Sequence, residues 1–535
     1  MTSDPRAFLA LDRGAATTSV ALIGRVAGHW RLIGSLALPA TVPLDAIVEQ
    51  LVTRLRTADP ELAAELELGT SADVDGLARL TSGVAPSPAL GVVAASERAL
   101  GPLITAADRT GWRVVAASSE RNDPLAMTTM LLDRSISALL AGAGEPPGAD
   151  ERGGLGDLAA LVSAIASRRP DVGVILAGGM AEQLPRFDAP DGRPGEVLLA
   201  PAGTAGSPPG TPLRELLDRL RGPADDGRRA FLNGTLALAE ALDRRVEAID
   251  IGFNAGMRVV AQPGTGDSAG SATWATVAAG ALVPQDPDET VVDGVLAWST
   301  VSIDRHRLRD RLHELRLVPW GDSAGPGGPL RLAAARAALE RLVEATPELD
   351  ALPPADLVVV AGGAWAVAPG PAIALAIADV VRRPGACQIV YDHARLIGPM
   401  GMIEDPGERR AMVADLADDL LAPLGSVVMP QGMRTGRSGG RLVVHGATGS
   451  TELDLIAGGL ELVDLPPGES AVAEFQFRDA VRLGTRGRHF AVDVAGGLGG
   501  LLVDLRDIPL RLPDRPDRRR ELLAGWQEAL WAGAE

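Results

Sequence analysis

The chain has 535 residues with 69 acidic groups against 51 basic ones, and its formal charge of -18 opposes nucleic acid or an anionic membrane as the main partner. Every basic residue is arginine, which removes the P-loop, whose lysine sits on phosphates, and Schiff-base or pyridoxal chemistry, which needs a lysine amine. The length exceeds a single core of ~100–200 residues, and a lone cysteine, Cys387, with no basic-then-apolar leader predicts a multidomain protein of the reducing cytoplasm.

In chain order, hydrophobic periodicity predicts strands at Phe8–Asp12, Ser19–Ile23, Trp30–Ala37, Leu90–Ala95, Arg113–Ala117, Val172–Ala177, Ala248–Ile251, Arg258–Ala261 and Leu357–Ala361. Helices are predicted at Leu44–Thr57, Pro124–Leu140, Leu155–Arg169, Leu213–Leu220, Thr235–Arg245, Arg305–Leu315, Leu330–Ala345 and Pro406–Leu421. Such alternation implies α/β layers. Breaks rich in Gly, Pro and Asp near Ala141–Gly154, Asp188–Pro212, Gly264–Ala272 and Trp320–Pro329 read as surface loops. The uncharged run Leu357–Ala378 is long enough for a membrane span, but its Gly362-Gly363 and Pro369-Gly370-Pro371 divide it into a buried strand, a glycine turn and an Ala-rich helix. Beyond Pro430, short alternating segments at Arg441–His445, Ala471–Phe477, His489–Val494 and Leu501–Leu505 predict a β-rich module. An amphipathic helix at Arg518–Trp531, apolar at Leu522, Leu523, Trp526, Leu530 and Trp531, closes the chain and suits packing on the chain's own surface.

Chemistry concentrates in the opening hairpin. An apolar strand delivers Asp12 to the mouth of a sheet, Gly14 lets the turn pass close to a ligand, and Thr17 and Thr18 offer hydroxyls and amides to phosphate before the chain returns. Asp12 would hold Mg2+ through water in that arrangement; the same residues also suit an ordinary polar hairpin. The plan recurs at Ala248–Val259, with Asp250 and Gly252. Two strands end in diglycine, at Gly178-Gly179 and Gly362-Gly363, where backbone can approach a flat ligand. No Ser/His/Asp spacing forms a nucleophile elbow, and His306 and His313 lie two helical turns apart, too far to share a metal. Tyr391-Asp392-His393 is the most chemically suggestive local triplet, but neighbours on a strand face opposite ways, so it reads as a satisfied core polar group.

Two Asp-x-Gly hairpins followed by a hydrophobic strand and diglycine are the layout of the actin, Hsp70 and sugar-kinase superfold, with nucleotide between two related lobes. Within it, the chain resembles the accessory protein of adenosylcobalamin-dependent glutamate mutase, the MutL (GlmL) family, over most of its length. The resemblance rests on Asp12-x-Gly14 with Thr17 and Thr18, Asp250-x-Gly252, the diglycine strands, Thr290–Leu296, and the ending Gly497–Asp504 with Pro509–Pro513. It implies a two-lobed actin-like ATPase (ribonuclease H-like) fold: a first lobe over residues 1–245, a second over 246–429, a β-rich module over 430–512 and a terminal helix over 513–535. It implies ATP and Mg2+ as cofactors, with Asp12 and Asp250 on the metal, Gly14, Thr17, Thr18 and Gly252 toward phosphate, and Gly362 and Gly363 against the adenosine. The implied partner is an adenosylcobalamin-dependent mutase that the chain reactivates or chaperones.

The chain departs from the family where the second hairpin reads Asp-x-Gly-Gly-Ala-Thr-Thr-Asp, having Phe253, Asn254, Ala255, Gly256 and Met257 after Gly252. Met180, Ala181, Glu182 and Gln183 likewise replace the family's continuation after Gly179. Losing hydroxyls and a second carboxylate there weighs against hydrolysis more than against binding, because in-line attack needs positioned groups. The alternative is therefore a catalytically inactive pseudo-ATPase scaffold that binds a protein partner. A small-molecule kinase of the same superfold would need a catalytic Asp beside a substrate pocket, and none stands out.

Overall fold

Two stretches of the chain, far apart in sequence, build sheets on one plan. In the first, Ala7–Arg13 (β1), Thr17–Val26 (β2) and His29–Pro39 (β3) run as an antiparallel meander, and Ala78–Gly83 (β4) adds parallel to β1, giving the order β3-β2-β1-β4. Residues 7–11 of β1 are buried throughout because the strand is central and covered on both faces. The computed structural model describes residues 6–68, 76–83, 88–187, 196–200, 211–220, 226–265, 268–284, 287–321, 327–366, 368–433, 436–447 and 449–531.

By compactness the chain divides into two units, Ala85–Asp225 with Ala275–Ala279, and the remainder. Residues 85–225, placed with the first lobe from sequence, thus hold a sheet of their own. Its strands Ala89–Ala94 (β5), Arg113–Ser118 (β6), Ile136–Ala143 (β7), Gly173–Gly178 (β8) and Val197–Leu199 (β9) are all parallel, in the order β6-β5-β7-β8-β9. That is a doubly wound order with its switch point between β5 and β7. The switch point is filled by the chain itself: Glu151, 9% exposed, accepts from Ser96 Oγ at 2.5 Å and from the amides of Gly144 and Gly148 at 3.2 and 2.9 Å. The helix expected at Pro124–Leu140 stops at Leu131, a turn follows, and β7 begins at Ile136. Residues 138–142 make one apolar run, and burial on both faces of a parallel sheet draws it into a strand.

The second sheet of the larger unit opens with Val246–Ile251 (β10), Gly256–Gln262 (β11) and Ser271–Val277 (β12), and continues with Leu357–Ala361 (β13), Gly385–Asp392 (β14) and Leu421–Met429 (β15). β11 is antiparallel to β10, whereas β13 and β14 run parallel to it. The order β12-β11-β10-β13-β14 therefore repeats and extends β3-β2-β1-β4. This 3-2-1-4-5 arrangement is the ribonuclease H-like sheet. The helix Asp226–Leu242 enters β10, and one core joins Phe8, Ala10, Ala21 and Ile23 of the first sheet to Ala248, Val259 and Val359 of the second through Phe231 and Leu238 of that helix.

After β15 come Ser438–Gly446 (β16), Gly449–Ile456 (β17), Leu460–Val463 (β18), Ser470–Leu483 (β19), Thr485–Ala495 (β20) and Leu501–Asp504 (β21). Four of them form the sheet β17-β16-β19-β20, but β18 and β21 leave it to continue the second ribonuclease H-like sheet beyond β15. The terminal helix Pro516–Trp531 is held where Trp526 lies under the Arg506 guanidinium, 4.2 Å from ring centroid to carbon, and where Leu523 is buried. The side chains of Leu530 and Trp531 lie outside the described residues. No helix among the described residues is long and apolar enough to cross a membrane; Leu357–Ala361 is a fully buried strand and Gly370–Val380 a buried helix.

Candidate functional site: paired strand-end aspartates

The two sheets carry the same turn. Asp12 pairs with Ser19 and Asp250 with Met257, a span of seven residues in each hairpin. In each, the amide two residues after the aspartate donates to the carbonyl five after it, Gly14 to Thr17 and Gly252 to Ala255, both at 3.0 Å. Both aspartates sit between an antiparallel return strand and a parallel neighbour: Asp12 lies opposite Ser82 of β4, and Asp250 opposite Ala361 of β13. The two carboxylates are close enough that the charge of Asp12 raises the pKa of Asp250.

Of the sequence-derived site residues, Asp12, Asp250, Thr17, Gly362 and Gly363 converge. Gly362 has φ +96°, and a Cβ there would lie 2.2 Å from Asp250 Oδ1 and 2.4 Å from the Ile251 carbonyl oxygen, so only glycine lets this backbone close over the carboxylate. A Cβ on Gly363 would lie 3.7 Å from Thr17 Oγ1, which places the diglycine at the carboxylate end of the site. Gly14 and Gly252 use their amides to close their own turns. Thr18, 7% exposed, follows Thr17 on β2 and so faces the other side of the sheet. The second turn, Gly252–Ala255, offers neither hydroxyl nor carboxylate, and the ring of Phe253 instead supports the Arg316 guanidinium at 5.5 Å.

Two more residues complete the site, Arg395, which the sequence does not single out, and Asp392 of the triplet Tyr391-Asp392-His393. Asp392, read as a core polar group, ends β14 with its carboxylate accepting the amides of Leu396 at 2.8 Å and Ile397 at 3.1 Å. The turn it pins holds Arg395 with φ 55°, unusual for a residue with a side chain. Arg395 Nη1 donates to Thr17 Oγ1, while its Nη2 is buried without a hydrogen-bond partner. A Cβ on Gly363 would lie 3.4 Å from that same Nη2. No local spacing marks the pair, because the Asp392 carboxylate caps amides four and five residues on and the Arg395 side chain finds its partner 378 residues away.

Burial dominates the electrostatics. Asp12 is raised above the ordinary carboxyl range by desolvation, against the opposing Arg395 charge and a 3.2 Å hydrogen bond from Ser82 Oγ. Asp250 is pushed up to about 7 by desolvation and then by Asp12. Asp392 also reaches about 7, because burial outweighs its two backbone amides. Asp250 keeps part of its residue surface exposed, yet its Oδ1 is sealed and has no donor. Among the described residues, no three or more His, Cys, Asp or Glu are grouped so as to hold a metal alone. Mg2+ takes one or two carboxylates, keeps waters and completes its shell with substrate phosphates, so Asp12 and the orphaned Asp250 Oδ1 fit it in company with a phosphate.

The repeated ribonuclease H-like sheets, each presenting a strand-end aspartate, define a two-lobed actin-like ATPase fold. No protein-family model matches the chain, and no curated protein sequence is significantly similar to it. Among solved structures it is similar to a nucleotide-free acetone carboxylase, at 10% identity over 84% of this chain and 81% of that one with a TM-score of 0.27. It is also similar to a ROK hexokinase from Thermus thermophilus, at 13% identity over 74% and 96% with a TM-score of 0.24. A Ppx/GppA family member from Aquifex aeolicus shares 10% identity over 77% and 88%, with a TM-score of 0.21. At that depth of superposition none of them bears on what this chain does, and the fold assignment rests on strand order and register.

Proposed function

We propose that the chain binds a Mg2+-nucleotide, ATP first, between its two ribonuclease H-like sheets, and that it acts as an accessory protein that reactivates or chaperones an adenosylcobalamin-dependent mutase of the glutamate mutase type. The observation that carries nucleotide binding is the matched pair of hairpins, with Asp12 and Asp250 at equivalent positions and Gly362 folded over the second carboxylate. In this reading Asp12 and Asp250 would hold Mg2+, Thr17 would face phosphate, and Gly14, Gly252, Gly362 and Gly363 would give the backbone its close approach. Mg2+, when bound, would neutralise phosphate charge beside the two aspartates. The mutase partner is supported by the sequence resemblance alone.

A second reading, a pseudo-ATPase scaffold, is favoured by the second turn, which has neither the hydroxyls nor the second carboxylate that would position a transferring phosphoryl group. Occupancy rather than turnover would then be the signal passed to the partner. Calorimetric titration of Mg-ATP and Mg-ADP into the wild type and Asp12→Ala tests the binding step. Saturable binding lost in the variant supports it; no heat at millimolar nucleotide sinks it. A turnover assay on a protein that binds separates the two readings, and nucleotide-sensitive co-purification with a cobalamin mutase tests the partner.

A further inference from the structure

We infer that Arg395 is the phosphate-binding group of this site, its guanidinium receiving a phosphate of a polyphosphate chain in place of the hydroxyls missing from the second hairpin. The inference deepens the nucleotide reading and rests on it for the identity of the ligand. Its physical basis is a pair of complementary vacancies in hydrogen bonding. Asp250 Oδ1 is a buried acceptor without a donor, and Arg395 Nη2 is a buried donor without an acceptor. Both border one turn: the Cβ position of Gly362 is 2.2 Å from the first and that of Gly363 3.4 Å from the second.

A buried polar atom left without a partner is costly, and sites that tolerate two of opposite sense are built for something that satisfies both. A magnesium phosphate does so at once, with the cation for Asp250 and oxygens for the arginine fork, which suits phosphate better than an ammonium does. Were Arg395 only a counter-ion for Asp12, Asp250 and Asp392, its Nη2 would hydrogen-bond to one of them, and it does not. Its aim is fixed instead by Thr17, which accepts from Nη1, and by a strained backbone that Asp392 pins through two amides. Thr17 and Arg395 are 378 residues apart, so the pair exists only in the folded lobe assembly.

The test is calorimetric titration of Mg-tripolyphosphate, which has no base or sugar, alongside Mg-ATP, into wild type, Arg395→Gln and Arg395→Lys, with thermal unfolding as a control for folding. The wild type is expected to bind both ligands. Arg395→Gln should weaken both at least about tenfold, and Arg395→Lys, which keeps the charge but not the fork, should weaken them severalfold. If Arg395→Gln does not fold, Arg395→Lys decides, and wild-type affinity for tripolyphosphate in whichever variant folds overturns the inference. Wild type that binds tripolyphosphate but not ATP, with the loss in the variants, upholds Arg395 while removing the nucleotide. Wild type that binds ATP with no effect of either variant leaves the nucleotide and removes Arg395; binding of neither ligand removes both.

Discussion

Replacing Asp250 by Asn should stabilise the free protein at alkaline pH and leave it unchanged in acid. Burial and the neighbouring Asp12 raise this carboxyl from 3.8 to about 7, and its Oδ1 has no donor. Between pH 4 and 7 the native state therefore keeps a proton that the unfolded chain has lost, and stability declines as pH rises through that window. A rise of that size costs the ionised native state up to about 4 kcal/mol above pH 7, and the partial exposure of the residue reduces the expectation to about 2 kcal/mol. Asparagine is neutral throughout and escapes the decline, so its advantage is absent near pH 4, grows to pH 7 and is level above pH 8. Urea denaturation of both proteins at a series of pH values, followed by circular dichroism, reads this as a midpoint difference that opens with pH. An equal difference at every pH, or a less stable variant at pH 8, would refute the desolvation argument. The same variant should bind Mg-nucleotide weakly, since the cation would lose a ligand.

Other parts of the structure make separate demands. Gly362→Ala forces a Cβ to 2.2 Å from Asp250 Oδ1 at a backbone with φ +96°, so it should lower stability by about 2 kcal/mol or more and abolish nucleotide binding in the same titration. Arg258, fully buried, donates to Glu247 at 2.7 Å and Asp350 at 2.6 Å; Arg258→Met leaves buried Glu247 with Arg383 alone, at 3.6 Å, and should cost about 3 kcal/mol in urea denaturation. Trp526→Ala removes the ring beneath Arg506, and should make the helix Pro516–Trp531 the first segment cut in limited proteolysis while nucleotide affinity is unchanged.

The hairpins at Asp12 and Asp250 were legible in the sequence because everything that makes them lies within a dozen residues: an apolar strand, an aspartate, a glycine turn and a returning strand. The diglycine after Leu357–Ala361 was legible for the same reason, although its place beside the carboxylates was not. β4, with the sequence Ala78-Arg79-Leu80-Thr81-Ser82-Gly83, carries a single large apolar residue and becomes a strand because β1 offers it a parallel edge. The segments β18 and β21 read as parts of the β-rich module, and the pairing of β21 with β15, and of β18 with β21, carries them into the other sheet.

The sequence by itself determined the α/β class, the two Asp-x-Gly hairpins and the lost hydroxyls of the second, since local period and turn chemistry are properties of short segments. Only the tertiary structure decided that Asp392 and Arg395 belong to the site. Strand alternation makes Tyr391-Asp392-His393 look like core polar structure, yet Asp392 pins a turn, and Arg395 gains meaning only against Thr17. Whether a buried charge is satisfied depends on groups brought together by the whole fold, and the burial that lifts Asp250 and Asp392 to about 7 comes from packing between two sheets that no local pattern encodes.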